Sequence, residues 1–283
     1  MTQNFTLTLS CPQRPGIVHA VSAFLFGWNC DIAEHQQFDE TRSQAFFLRT
    51  KFVCDDDSID VAQLTAQFDS VADEFGMSFR FVDSAQPRVV VMVSKMGHCL
   101  NDLIFRWRAG ILGGELIAVV SNHEVLRPMA EAAGLPFVHI PVTPTTKPQA
   151  EAELLALVTD LNADLVVLAR YMQVLSDETC AALQGRAINI HHSFLPGFKG
   201  AKPYHQAFDR GVKQVGATAH YVTPELDEGP IIEQEVIRID HSYDPARLAT
   251  VGQDAEALAL SRAVRWHCEN RVLLHGHRTV VFS

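Results

Sequence analysis

Apolar and polar residues alternate through Phe5-Thr6-Leu7-Thr8-Leu9, the two-residue period of a half-buried strand. Arg14-Pro15-Gly16 interrupts the run, and Ile17, Val18, Val21, Phe24 and Leu25 then recur at helical spacing as far as Gly27. A strand is expected from Cys30 to Phe38, a turn at Asp39-Glu40-Thr41, and a second strand from Gln44 to Val53. Ser58 is placed to cap a helix that carries Val61, Leu64, Phe68, Val71 and Phe75 on one face. Phe79 to Val82 closes the unit. The resulting order, βαββαβ, is the split βαβ layout of small regulatory modules.

Ser84-Ala85-Gln86-Pro87 reads as a linker, because proline interrupts pairing and its neighbours are small or polar. The rhythm then changes. Arg88 to Val93 is a nearly continuous apolar run, the pattern of a strand covered on both faces. Helices are expected near 99–109, 125–133 and 149–161, alternating with strands at 115–120, 136–140, 165–168 and 187–190. Such alternation means a doubly wound, mostly parallel sheet. Gly216 to Val222 and Ile231 to Ile239 read as strands with no helix between them, so one edge of the sheet turns antiparallel. A long helix follows from Ala246 to Glu269. The division is 1–83, a linker at 84–87, and 88–283.

Composition narrows the function classes. The 283 residues carry a net charge of −10, which disfavours nucleic acid and anionic membrane surfaces as partners. No apolar run approaches the ~20 residues that span a bilayer, and the N-terminus lacks the basic-then-apolar order of a secretory leader. Cys11, Cys30, Cys54, Cys99, Cys180 and Cys268 form no CxxC pair and read as buried free thiols in a reducing, cytoplasmic setting. The thirteen histidines show no HExxH or paired ligand spacing, so no metal is expected.

Two segments carry chemistry. In Ile188-Asn189-Ile190-His191-His192 the strand period turns Asn189 and His191 to one face. Open α/β sheets bind ligands at the carboxyl ends of their strands, where this pair falls. An amide beside an imidazole can stabilise the oxyanion formed when a carbonyl is attacked. Taken alone, a core histidine beside a strand-end asparagine explains the pair equally well. The second segment, His220-Tyr221-Val222-Thr223-Pro224-Glu225-Leu226-Asp227-Glu228-Gly229-Pro230, is an acidic loop between two strands, closed by glycine and proline. Asp227 there can accept a proton from water or hold the charged form of His191. A solvated turn is the plain alternative.

Together, Asn189-Ile190-His191, Ser193-Phe194-Leu195-Pro196 with Lys199-Gly200, and Asp227-Glu228-Gly229-Pro230-Ile231-Ile232 resemble the formyltransferase family that acts on 10-formyltetrahydrofolate. The resemblance covers roughly residues 88–283. It implies Asn189, His191 and Asp227 as the catalytic group, His220 as a supporting residue, and Arg170, Tyr171, Met172, Tyr221 and Val222 as folate contacts. The N-terminal unit resembles an ACT domain, an amino-acid-sensing module, through Pro15-Gly16-Ile17-Val18 and the Asn29 to Ile32 strand opening. That likeness implies an amino-acid effector near Gly16, Ile17 and Asn29, and a homo-oligomer.

An ACT unit ahead of such a domain is the layout of the family's hydrolytic branch. It implies hydrolysis of 10-formyltetrahydrofolate to formate and tetrahydrofolate, with formate supplied to purine biosynthesis and no cofactor beyond the folate substrate. Relatives that formylate a phosphorylated amine carry a Gly- and Ser-rich loop after the first strand of the domain. Here that stretch is Ser94-Lys95-Met96-Gly97-His98-Cys99, whose side chains depart from the pattern and favour water as acceptor. A folate-dependent transferase with an amine acceptor is the second reading, and a non-catalytic folate-binding sensor the third.

Overall fold

In the computed structural model, residues 2–56, 58–195 and 203–283 are described. Pro196 and Lys199-Gly200 of the family-like motif lie outside them. The chain divides by its contacts into two units. The first comprises Met1–Ala85, Asn270–Leu273 and Val280–Ser283, and the second Gln86–Glu269 and Leu274–Thr279. This grouping differs from a second domain running unbroken from 88 to 283.

The first unit follows the βαββαβ order: β1 (Gln3–Pro12), α1 (Ile17–Gly27), β2 (Cys30–Glu40), β3 (Ala45–Cys54), α2 (Val61–Phe75) and β4 (Ser78–Asp83). The four strands form an antiparallel sheet in the order β2-β3-β1-β4. Alternate residues of β3 face opposite ways. Phe46, Leu48 and Phe52 join the apolar core with Leu7, Leu9, Leu25, Leu64 and Phe68. Phe68 packs edge-on against Phe24 and Phe79, with both centroid distances at 4.9 Å. On the opposite face Arg49 is 1% exposed. Its guanidinium donates to the Asn270 carbonyl at 3.1 Å and pairs with Glu34 at 3.1 Å.

Two expectations for this unit need adjustment. The cap of α2 is Asp60, in a reciprocal capping box with Gln63, while Ser58 is spent on Asp56. Cys30 and Cys54 are not free thiols. The β2–β3 register sets them opposite one another with Cα atoms 4.5 Å apart, and they form a disulfide. Cys11, Cys99, Cys180 and Cys268 are buried free thiols. Among the residues linked to an effector, Gly16 and Asn29 adopt φ of 97° and 54° at the two ends of α1, and the Ile17 side chain is buried in the core.

The second unit holds a seven-stranded sheet built from β5 (Arg88–Val93), β6 (Glu115–Ser121), β7 (Phe137–His139), β8 (Leu165–Leu168), β9 (Ala187–His191), β10 (Gln214–Tyr221) and β11 (Ile231–Arg238). Its order is β11-β10-β9-β8-β5-β6-β7. The five strands from β9 to β7 run parallel, and β10 and β11 are antiparallel, giving the mixed edge expected from their missing helix. The helices are α3 (His98–Arg108), α4 (Arg127–Ala132), α5 (Lys147–Asp160), α6 (Asp177–Ala182), α7 (Pro203–Asp209) and α8 (Pro245–Cys268). The short α6 and α7 escaped the sequence reading because six or seven residues display too little of a 3.6-residue period. The same brevity hid the terminal strands β12 (Val272–His275) and β13 (Arg278–Val281).

Strand order reverses at β5, whose neighbours are β8 on one side and β6 on the other. Ligands of open α/β sheets bind outside the strand ends at such a reversal. Ser94, just past β5, is buried there. Its hydroxyl donates to Asn122 at 2.7 Å and accepts from the Met172 N–H at 2.9 Å, joining three strand-end loops.

Candidate active site

β9 delivers Asn189 and His191 to the carboxyl end of the sheet, and antiparallel β10 pairs His220 directly with Asn189. The loop after β10 then turns back and brings in Asp227. Its backbone lies in the left-handed region at φ 58°, a conformation aspartate tolerates at modest cost. Gly229 closes the turn. A Cβ at that position would sit 1.8 Å from the Tyr221 carbonyl oxygen, so the turn admits only glycine.

The Asp227 carboxylate lies 3.2 Å from His191 Nδ1 and 3.9 Å from His220 Nε2. His220 Nδ1 is 2.8 Å from the Tyr221 carbonyl, which can only accept, so Nδ1 carries the proton. Burial holds His220 below the ordinary histidine range and the ring neutral, although the bond to Tyr221 and the charge of Asp227 oppose the shift. Its bare Nε2 therefore accepts from the Asn189 amide N–H at 3.3 Å. This fixes which end of the Asn189 amide is nitrogen.

The hydrogen bond from His191 keeps the Asp227 carboxyl below its usual range, against the opposing effect of burial. Asp227 is thus an anion at neutral pH. With Nδ1 engaged by that anion, His191 Nε2 is buried and meets no hydrogen-bond partner among the described residues. It is left to act on a substrate.

These side chains share one cavity of about 290 Å³. Its lining includes Asn189, His191, His220 and Asp227, together with Arg170, Tyr171, Met172 and Val222. Tyr221 is the exception among the residues implied as folate contacts. Strand alternation turns its side chain away from His220, and its hydroxyl bonds His267 Nδ1 at 2.7 Å. Thr223 and Leu226 of the acidic loop also line the cavity, as does Val174, which was missed because an exposed apolar residue on a loop carries no sequence signal of its own. Strand alternation would set the His191 and His192 rings on opposite faces if β9 continued. It ends at His191, and the two ring centroids lie 4.9 Å apart. Burial, with the charges of Arg170 and His191, pushes His192 down to about 4.

Glu256 of α8 is a further acidic group that sequence patterning did not single out. It is 1% exposed, and its Oε2 lies 2.8 Å from His98 Nε2 and 3.3 Å from Arg170 Nε. Burial works to raise this carboxyl, yet His98, Arg170 and Tyr204 together hold it below its usual range. His98, Cys99 and Glu256 bring three potential ligand atoms within 4.8 Å of one another. The Arg170 guanidinium on the same carboxylate already supplies positive charge there.

A family model described as formyl transferase matches residues 87–264. The chain belongs to this family. It is 53% identical over 276 residues to a formyltetrahydrofolate deformylase of Corynebacterium sp. (strain P-1), covering 97% of this chain and 96% of that one. Among solved structures it is similar to a formyltetrahydrofolate deformylase from Burkholderia mallei, with a TM-score of 0.93 and 52% identity over 99% of this chain and 100% of that chain. A formyltetrahydrofolate deformylase from Pseudomonas syringae pv. tomato superposes with a TM-score of 0.96 at 46% identity, covering 100% of this chain and 95% of that one. No helix among the described residues is long and apolar enough to cross a membrane.

Proposed function

We propose that this chain hydrolyses 10-formyltetrahydrofolate to formate and tetrahydrofolate, with Asn189, His191 and Asp227 as the catalytic group. The observation that carries the reading is the shared cavity in which His191 is clamped by Asp227 at 3.2 Å beside the oriented amide of Asn189.

Attack of water on the formyl carbon places negative charge on its oxygen, and donors already in position stabilise that charge without reorganising. The remaining Asn189 N–H and His191 Nε2–H are those donors. The Asp227 anion orients His191 through Nδ1 and positions the attacking water, whose proton it takes as the C–O bond forms. When the tetrahedral centre collapses, that proton passes to the leaving nitrogen as the C–N bond breaks. Formic acid then loses its proton to give formate. Arg170, Tyr171, Met172 and Val222 form the folate wall. The released formate would serve purine biosynthesis, with the first unit as an amino-acid-responsive module in a cytoplasmic homo-oligomer.

Purified protein given 10-formyltetrahydrofolate and no amine should release formate at a steady rate. Turnover that requires an added amine would replace hydrolysis by transfer. Adding single amino acids to the same assay tests the regulatory role of the first unit.

A further inference from the structure

Glu256 takes no part in the group just described, yet a carboxylate buried this deeply is costly unless its oxygens are paired. Both are. The Tyr204 hydroxyl donates to Oε1 at 2.8 Å, while His98 and Arg170 meet Oε2. Gly252, one turn earlier on α8, makes room for Tyr204, since a Cβ there would lie 2.1 Å from the tyrosine hydroxyl. The partners come from the start of α3, the loop after β8 and the start of α7. Glu256 therefore ties three loop-to-element junctions to one helix.

Arg170 is the member that reaches the active site. It is the one lysine or arginine among the described residues lining the cavity of Asn189, His191 and Asp227. Its backbone is held in the left-handed region at φ 65°, and its guanidinium also contacts Met96 Sδ at 3.6 Å. The reaction turns a neutral formyl group into an oxyanion and then a formate anion, beside the negative charge of Asp227. A cation in the wall offsets that charge only if it stays in place.

We propose that Glu256 is a positioning residue for hydrolysis: its buried carboxylate anchors the Arg170 guanidinium in the cavity wall, so that a fixed positive charge faces the negative charge developing on the formyl oxygen. The inference rests on Asn189, His191 and Asp227 being the hydrolytic group.

The test compares Glu256→Gln, Glu256→Asp, Arg170→Met and the Glu256→Gln/Arg170→Met double variant by steady-state formate release and thermal melting. Glu256→Gln should lower kcat roughly tenfold while KM moves less than about threefold, the signature of a charge used in the transition state, and Arg170→Met should lower kcat at least as far. The double variant should be no slower than the slower single, because one removed contact cannot be removed twice. Glu256→Asp should recover part of kcat. A folded Glu256→Gln with unchanged kcat overturns the proposal, as do single effects that multiply in the double variant. If Glu256→Gln does not fold, Arg170→Met decides alone, and normal kcat there overturns it. Failure of the hydrolytic reading is distinguishable, because it shows as normal turnover in Asp227→Asn whatever the Glu256 variants do.

Discussion

Arg49 in the first unit and Arg170 in the second are each paired with a glutamate, but their surroundings differ. Arg49 is wholly buried on the helix-free face of its sheet. Its partner Glu34 also meets Arg271, so the pair joins β2 and β3 to the chain's last residues within that unit. Arg170 reverses the arrangement: the carboxylate is the deeply buried partner, and Arg170 is itself a lining residue of the cavity. A buried ion pair contributes little net stability over an apolar substitute, whereas losing one partner is costly. The same pairing chemistry thus serves cohesion in one unit and electrostatic placement beside a reactive group in the other.

Perturbing each unit should separate stability from turnover. The largest effect is expected from Asp227→Asn, which should cut kcat about 10³-fold in protein that still folds; near-normal formate release would remove Asp227 from the mechanism. Next, Gly229→Ala forces the Asp227 loop off the Tyr221 carbonyl. It should slow turnover roughly a hundredfold, and normal kcat in that variant would show that the turn is not needed. Glu34→Ala makes the opposite case. It should cost about 3 kcal/mol of stability by stranding Arg49, with kcat and KM unchanged, as read by denaturant titration and the formate assay. A loss of kcat in stable protein would break the contrast between the two arginines.

At neutral pH the smallest effect is the pH dependence of stability, which develops only on acidification. His192 and His220 are held below the ordinary histidine value by burial, so as pH falls below about 6.5 the unfolded chain binds protons that the native state refuses. Stability should decline from pH 6.5 toward 4, by about 3 kcal/mol at the low end for His192 alone. Replacing His192 with Asn should flatten that slope. Asp227 and Glu256 act in a lower window, because their depressed carboxyl values withdraw stability only as pH falls below the usual carboxylate range. Equal slopes for His192→Asn and the parent would mean that His192 is not held neutral.

Much of this was legible in the residue order. Alternation and helical spacing are local, so β1 to β4, the parallel strands and α8 could be read directly. So could the pairing of Asn189 with His191, which are two residues apart on one strand. Asp227 needed the motif as a whole, because an Asp-Glu-Gly turn is common for backbone reasons alone. Sequence patterning did not single out Glu256, which sits on α8 among the buried Gly252, Ala255, Ala259 and Leu260 and meets Arg170 only because α8 packs over the sheet.

By itself, the sequence determined the order and type of the longer elements, the strand face shared by the amide and the imidazole, and the glycine-and-proline close of the acidic loop. Tertiary structure alone decided which partners meet across long separations: Cys30 with Cys54, Glu34 with Arg49 and Arg271, and Glu256 with Arg170. The physical reason is range. Dihedral preference and side-chain direction act over a few residues, whereas strand register and helix packing are collective outcomes of burying the whole core.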